Sequence, residues 1–178
     1  MKPFPLLLGA LCALIVSCSS TKIPDAQITF HTQTPPGEMK SMVFAYTHKG
    51  KVINMRRMPS FSISDVETYK PFVAKDGSFG AILNLDRTAI GRLYNHTTQN
   101  KGAYMISVVN GNISIPLKID RPIRDGKLIV WDSLTQQDVY LLDMSIQREG
   151  DDADKAKARA KNAKKILKEQ FANAKEKE

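Results

Sequence analysis

The sequence from Tyr104 to Leu117 reads YMISVVNGNISIPL and carries the strongest structural signal in the chain. Two apolar runs are separated by Asn110-Gly111. Both residues tolerate the positive φ angles of a two-residue turn, so this stretch predicts a β-hairpin. Apolar and polar residues alternate in the second run, as in a strand with one buried face. Pro116 has no N–H to donate, so we expect that strand to lie at a sheet edge or to be bulged there.

A strand and a helix are predicted before this hairpin. Phe79–Leu85 has the composition of a strand, and Asp86 is a suitable N-cap for the helix that follows. The apolar face of that helix recurs every three or four residues and comprises Ala89, Ile90, Leu93, Tyr94 and Thr97. We expect the helix to end at Gly102.

After the hairpin, Lys127–Trp131 predicts a strand, and the segment beyond it allows two interpretations. Ser133-Leu134-Thr135-Gln136 has the form of a capping box, which would open a helix through Val139, Leu142 and Ile146. The alternative is a strand over Val139–Ile146, because Tyr and β-branched residues are frequent there. We favour the helix.

Further strands are predicted upstream, at Ala26–Phe30 and in a hairpin of Met42–Thr47 with Val52–Met55. Together these elements indicate an α+β fold for residues 27–149. We expect a mainly antiparallel sheet with two helices packed on one face, followed by a C-terminal basic helical tail.

The composition excludes several classes of protein. With 42% hydrophobic and 25% charged residues the chain is globular rather than disordered. Two cysteines cannot form a disulfide framework or a four-cysteine zinc site. After the N-terminal segment no apolar run is long enough to cross a bilayer, which excludes a multi-pass transporter.

The first eighteen residues have the form of a targeting signal. Lys2 precedes an apolar run from Phe4 to Val16, which has the length of a signal-peptide core and is short for a membrane span. Ile15-Val16-Ser17-Cys18 resembles the lipobox of bacterial lipoproteins, in which the cysteine thiol carries a diacylglyceryl group and becomes the mature N-terminus. An ordinary signal peptide with a chance cysteine, or an uncleaved anchor, is the alternative.

The lipobox resemblance implies a location and a boundary. Residues 1–17 would be the signal peptide, Cys18 the lipid attachment site, and residues 18–26 a polar tether. Ser19 resembles the sorting signal for the outer membrane, so we expect a lipid-anchored protein of the cell envelope that faces the periplasm.

The chain is basic, with a net charge of +8, of which cleavage would remove only Lys2. Nucleic acid is not expected as a partner outside the cytoplasm. Anionic lipid head groups, an anionic envelope polymer and acidic protein faces are the expected partners of this charge.

The order of elements from Phe79 to Leu142 resembles the periplasmic head subdomain of SecD, a subunit of the bacterial protein-export machinery. The resemblance rests on the helix end Thr97–Gly102, the hairpin Val108–Asn112 and the return strand Ile113–Pro116. Asp125-Gly126 and Leu134–Asp138 stand at the Gly-rich turn and the start of the last helix.

This resemblance covers about half of the mature chain and concerns turns and strands rather than catalytic residues. Trp131-Asp132 replaces the closing glycine of the family. SecD's transmembrane helices have no counterpart in the sequence, so proton-driven pulling on a polypeptide is not implied. Because the SecD head is held to contact the emerging polypeptide, the resemblance implies a polypeptide-contacting role.

After Gly150 the composition changes to Ala, Lys and Glu, and residues 151–178 predict a helical tail. Small and apolar residues recur as in a heptad seam, at Ala153, Ala156, Ala160, Ala163, Leu167, Phe171 and Ala174. The tail could be a solvated helix, dock on a partner helix or lie along an anionic surface. The candidate partner contacts are Ile166, Leu167, Phe171, Lys157, Lys161, Lys164 and Lys165.

No arrangement of residues predicts catalysis, so we expect no enzyme and no catalytic, cofactor-binding or metal-binding residues. His31, His48 and His96 are far apart in sequence, and His96 is expected to be solvated on its helix. Ser78 lacks the spacing of a nucleophile elbow. Two short basic clusters, Arg56-Arg57 and Arg121–Arg124, are most simply solvated surface, with the lining of an anion or partner site as the alternative.

The first functional hypothesis is therefore a non-catalytic, membrane-anchored lipoprotein that acts as a protein-interaction module for exported or envelope polypeptides. Exposed strand edges would make the contact by β-addition, although Pro116 would protect its edge. The alternative hypothesis is a structural envelope scaffold whose basic tail binds an anionic polymer, a membrane surface or a partner helix.

Overall fold

The hairpin at Asn110-Gly111 forms as predicted. In the computed structural model, which describes residues 23–75 and 77–175, Asn110 and Gly111 have φ angles of 47° and 89°. The return strand is interrupted: residues 112–113 and 117–118 pair with the strand Tyr104–Val109, and between them only the Ser114 amide bonds to it, at 2.9 Å from the Ser107 carbonyl. The edge position expected from Pro116 is therefore confirmed.

The described residues form eleven strands and three α-helices. In chain order these are β1 Ile28–Thr32, β2 Val43–His48, β3 Lys51–Arg56, β4 Phe61–Ser62, β5 Val66–Val73, β6 Phe79–Leu85, α1 Arg87–Gln99, β7 Tyr104–Val109, β8 Asn112–Ile113, β9 Leu117–Lys118, β10 Lys127–Leu134, α2 Gln136–Ser145, β11 Gln147–Arg148 and α3 Ala153–Lys175. Short 3-10 helices occupy Lys40–Met42 and Ile63–Asp65.

The strands form three sheets rather than the single sheet expected. The first sheet has the order β4-β1-β7-β8, with β9 also on β7, and the second has the order β10-β6-β5-β11. The third is the β2–β3 hairpin. All pairs are antiparallel except β5–β11, so the predicted α+β class with mainly antiparallel strands is confirmed.

One apolar core joins the first and second sheets to the helices. Ile28 and Phe30 of β1, and Leu83 and Leu128 of the second sheet, are at most 3% exposed within it. A smaller cluster of Ile53, Met55 and Ile106 attaches the β2–β3 hairpin to the first sheet. The two helices α1 and α2 contribute buried residues to the main core, as the sequence pattern predicts.

Both helices have a side-chain cap at their N-terminus. Asp86 accepts a hydrogen bond from the Ala89 amide at 2.7 Å, as predicted for α1. The helical interpretation of α2 is also confirmed, but the predicted capping box at Ser133 is wrong. The box is formed two residues later by Thr135 and Asp138, because Ser133 still lies in β10, with a φ angle of 71°.

A buried carboxylate ties α2 to the second sheet. Asp143 of α2 is 3% exposed in its side chain and accepts the Tyr69 hydroxyl at 2.5 Å. The Arg148 guanidinium binds both Asp143 oxygens, at 2.6 and 2.8 Å, and lies over the Tyr69 ring. Burial and the neighbouring Asp143 carboxylate raise the pKa of Tyr69 above its usual range. Tyr69 thus stays a neutral donor to Asp143, and β5, α2 and β11 are joined at one point.

The C-terminal helix α3 docks on α2 instead of standing in solvent. The middle of its predicted seam faces the domain: Ala163 and Leu167 are 1% and 0% exposed, and Phe171 packs against the main core, whereas Ala153 and Ala174 at the ends of the seam are exposed. Asp151 fixes its start by accepting from Arg159 at 2.9 Å.

Of the expected tether, Ile23 and Ala26 contact the core. In the described ranges, no helix is both long and apolar enough to cross a membrane.

Replacing Leu167 tests the docking of α3. Leu167→Ala removes a side chain that is fully buried in the main core, so we expect the free energy of unfolding to fall by about 2–5 kcal/mol. Lys168→Ala, at an exposed position one residue later, should change it by no more than about 0.5 kcal/mol. Urea unfolding of both variants makes the measurement. Equal stability of the two variants would show that α3 is not docked.

Candidate functional site

The second sheet has an apolar face that the helices cover and an opposite face that they leave open. Strand pairing places Tyr69, Leu83 and Leu128 in one row, and all three are buried in the main core. The neighbouring row consists of Lys70, Ile82 and Ile129, whose side chains point to the opposite side. We call this opposite side the open face. Its other residues are Thr68, Phe72, Gly80, Asn84, Lys127 and Trp131.

An aromatic pair stands at one end of the open face. Phe72 lies over Gly80, where a Cβ atom would come within 2.3 Å of the Phe72 ring. Trp131 meets Phe72 edge-on, with the ring centroids 6.3 Å apart, and is 49% exposed. Gly80 therefore lets the Phe72 ring lie flat against the strand, and Trp131 remains available to solvent.

A groove of about 500 Å³ continues from the middle of this face. Its floor is formed by Ile82 and Ile129, and its wall by the segment Leu117–Asp125, which includes Pro122 and Ile123. The apolar surface therefore extends from the aromatic pair into a concavity.

Basic side chains surround the groove. Lys118, Arg121, Arg124 and Lys127 line it and are exposed, with Asp120 and Asp125 as the acidic residues of the same lining. Asp125 accepts from the Lys127 amide at 3.3 Å, and Arg124 lies over the Tyr94 ring at 5.1 Å. These side chains form the rim of the groove, and the rim therefore carries a net positive charge. Arg121 and Arg124, from one of the two basic clusters in the sequence, therefore line this concave surface.

The groove wall is fixed by hydrogen bonds to the rest of the domain. The Ile123 amide donates to the Thr97 hydroxyl of α1 at 2.9 Å, and the Gly102 amide donates to the Ile119 carbonyl at 2.7 Å. On the β8 side, Asp132 of β10 accepts from the Ser114 hydroxyl at 2.8 Å. These bonds hold the wall in place before any ligand binds.

The structure separates the site residues predicted in the tail into two groups. Leu167 is buried in the main core and Phe171 packs against it, while Ile166 is half-buried. Their apolar seam therefore contacts α2 of the same chain. On the other side of α3 the predicted lysines are all exposed, namely Lys157, Lys161, Lys164 and Lys165. Cys18 lies outside the described residues.

Two histidines are structural rather than solvated. His31 receives a hydrogen bond from Thr29 or donates one to it at 2.9 Å, and its other ring nitrogen lies 2.9 Å from the Arg56 carbonyl. His96 is half-buried, with its Nε2 atom 2.8 Å from the Thr32 hydroxyl and its ring edge-on to Phe61. The expectation that His96 is solvated is therefore wrong, because α1 packs this face against β1 and β4.

No three histidine, cysteine or acidic side chains gather into a group suited to a metal ion within residues 23–75 and 77–175. Four further site residues, Phe72, Ile82, Ile129 and Trp131, were not predicted from the sequence. Their signal was the occurrence of Ile82, Ile129 and Trp131 at positions of β6 and β10 that alternate with the core residues, whereas two helices on one face can cover only one set of positions.

The chain was compared with known proteins. No protein-family model matches it, and no curated protein matches its sequence. Among solved structures, it is similar to one described as a membrane component SecDF that enhances protein export, at 12% identity and a TM-score of 0.48, over 66% of this chain and 60% of that one. A crystal structure of SecDF in a super-membrane-facing form matches at 15% identity and a TM-score of 0.43, over 62% of this chain and 17% of that one.

The chain spans less than two thirds of the length of either neighbour.

The half-buried His96 makes stability depend on pH. Burial, and secondarily the positive charge of Arg56, lower the pKa of His96 from its ordinary value of 6.5. His96 therefore binds a proton more tightly in the unfolded chain than in the folded chain. The folded state is fully stable with respect to this group above pH 6.5, and it loses stability as the pH falls below 6.5.

We expect the free energy of unfolding to decrease between pH 7.5 and pH 5.5, and to decrease less in His96→Gln. His48→Gln, in the β2–β3 hairpin, is the matched control and should keep the wild-type slope. Denaturant unfolding across this pH range measures all three proteins. An unchanged slope in His96→Gln would contradict the assignment.

Proposed function

We propose that this protein is a non-catalytic interaction module of the cell envelope, which is anchored by lipid on Cys18 and binds exported or envelope polypeptides on the open face. The observation that carries the proposal is the uncovered apolar surface of the second sheet, from Trp131 to the Ile82–Ile129 groove. The anchoring part rests on the lipobox resemblance at Ile15–Cys18, and the periplasmic side of an outer membrane is the proposed location.

The chemistry of the face suits an extended polypeptide. A chain in extended conformation directs alternate side chains to one side, so it can place apolar side chains in the groove and against Trp131 while its backbone stays solvated. Aromatic anchors next to a concave apolar site are typical of residues that contribute most to binding. Because the rim is basic on balance, segments with acidic residues beside apolar ones are the favoured ligands.

We propose that the polypeptide binds on the open face of the second sheet rather than at the edge of the first sheet. That edge consists of β8 and β9, which are two residues each and are separated at residues 114–116. Pro116 cannot donate to an added strand, so this edge offers no continuous ladder for β-addition.

Fluorescence can test the proposal directly, because Trp131 is the single tryptophan of the chain. Reduced, carboxymethylated α-lactalbumin provides an unfolded, acidic polypeptide once its own tryptophans are replaced by phenylalanine. Titration should change the Trp131 emission and saturate. Phe72→Ala and Ile82→Ser remove apolar contacts beside the reporter, and each should weaken binding roughly tenfold.

The matched control is Val52→Ser, which removes an apolar side chain that is 68% exposed on β3, away from the open face. It should bind as the wild type does. No emission change on titration, or equal weakening in Val52→Ser and Phe72→Ala, would refute polypeptide binding on this face.

A second candidate function is that of a structural scaffold that binds an anionic surface through α3. It is favoured by the docking of α3, which buries Ala163 and Leu167 of the seam and leaves the lysines exposed on the solvent side. In the titration above, changing Lys157, Lys161, Lys164 and Lys165 to Gln distinguishes the two functions. Unchanged binding assigns the polypeptide to the open face, and lost binding assigns it to α3.

A further inference from the structure

Three methionine side chains line one concavity and are partly or largely exposed to solvent. Met39, Met42 and Met58 are 70%, 45% and 69% exposed, although methionine is usually among the buried residue types. They line a space of about 460 Å³ together with Gly37, Glu38 and Arg56. Every apolar side chain of this lining is therefore a methionine. We call the three residues the methionine cluster.

Backbone hydrogen bonds bring the cluster together. The Met42 amide donates to the Met39 carbonyl at 2.9 Å across the 3-10 helix Lys40–Met42. Met39 is the extended N-cap residue and Met42 the last residue of this helix, so the bond holds the two methionines at the same concavity. The Arg57 amide donates to the Met42 carbonyl at 2.8 Å, which places the next residue, Met58, beside Met42.

The charges of the lining favour a cation of low charge. Arg56 donates to Glu38 Oε1 at 2.9 Å, so the two charged groups balance. Glu38 Oε2 is buried and has no hydrogen-bond partner among the described residues. A buried oxygen without a partner is the expected neighbour of an ion or a water molecule. Because the charges of the lining cancel, a divalent ion held there would be less well compensated than a monovalent one.

From these observations we infer that the methionine cluster is a binding site for a soft monovalent metal ion, Cu(I) or Ag(I). Thioether sulfur is a neutral, soft ligand, which selects Cu(I) over the hard divalent ions that prefer oxygen. Met39, Met42 and Met58 supply three sulfur ligands. This site is independent of the open face, since it lies at the β2–β3 hairpin and shares no residue with the groove.

Methionine also lines adaptable docking surfaces for polypeptides, and substitution by leucine separates the two roles. Leucine keeps the apolar volume and removes the sulfur. Met→Leu variants would retain a docking surface and lose a metal site. Because all three side chains are partly or largely exposed, these variants are expected to fold, and far-UV circular dichroism verifies this.

Silver titration of the full chain provides the test. Cys12→Ser and Cys18→Ser remove the thiols that would compete for the metal, and methionine methyl groups carry ¹³C. Silver nitrate in chloride-free buffer should shift the methyl signals of Met39, Met42 and Met58 and saturate at one equivalent. Met39→Leu combined with Met58→Leu should weaken binding at least tenfold.

Met144→Leu is the matched control, because Met144 is a half-buried residue that packs against the main core, and it should bind silver as the parent does. Competition with bicinchoninate under reducing conditions repeats the measurement for Cu(I). Absence of methyl shifts, shifts confined to methionines outside the cluster, or unchanged affinity in the double leucine variant would each overturn the assignment.

Discussion

The ion pair between Asp143 and Arg148, with the Tyr69 hydroxyl on the same carboxylate, determines which side of the second sheet is covered. It fixes α2 and β11 to β5, and α3 then docks on α2. Removing one partner of such a buried pair leaves an uncompensated charge and costs about 3–5 kcal/mol. Because both C-terminal helices are held on the inner side by this arrangement, the outer side of the same sheet stays without a cover.

The uncovered side explains the distribution of apolar residues in β6 and β10. A sheet with helices on one face normally alternates between apolar and polar residues, yet Ile82, Ile129 and Trp131 are apolar on the outer side. The segment Leu117–Asp125 covers part of this surface as the wall of a groove and brings basic side chains to its rim. The exposed lysines of α3 belong to the covered side of the sheet, so the two candidate contact surfaces are separate.

Local signals made most elements predictable from the sequence. Asn110-Gly111, Asp86 and Pro116 each act through backbone geometry or hydrogen bonding within a few residues, and all three behave as expected. The division into three sheets and the docking of α3 on α2 depend on contacts between distant residues, which periodicity does not encode. His96 shows the same limit, because its burial depends on β1 and β4 rather than on its own helix. The open face was missed because it requires knowing which of two apolar faces the helices cover.

Site-specific photocrosslinking in cells tests polypeptide binding on the open face most directly. Benzoylphenylalanine replaces Ile129 on the floor of the groove, or Val52 on the exposed surface of β3. Irradiation followed by mass spectrometry of the full-length protein identifies what each position contacts. The account predicts adducts with exported or envelope polypeptides from position 129 and none of these from position 52. The same adducts from both positions, or none from position 129, would contradict it.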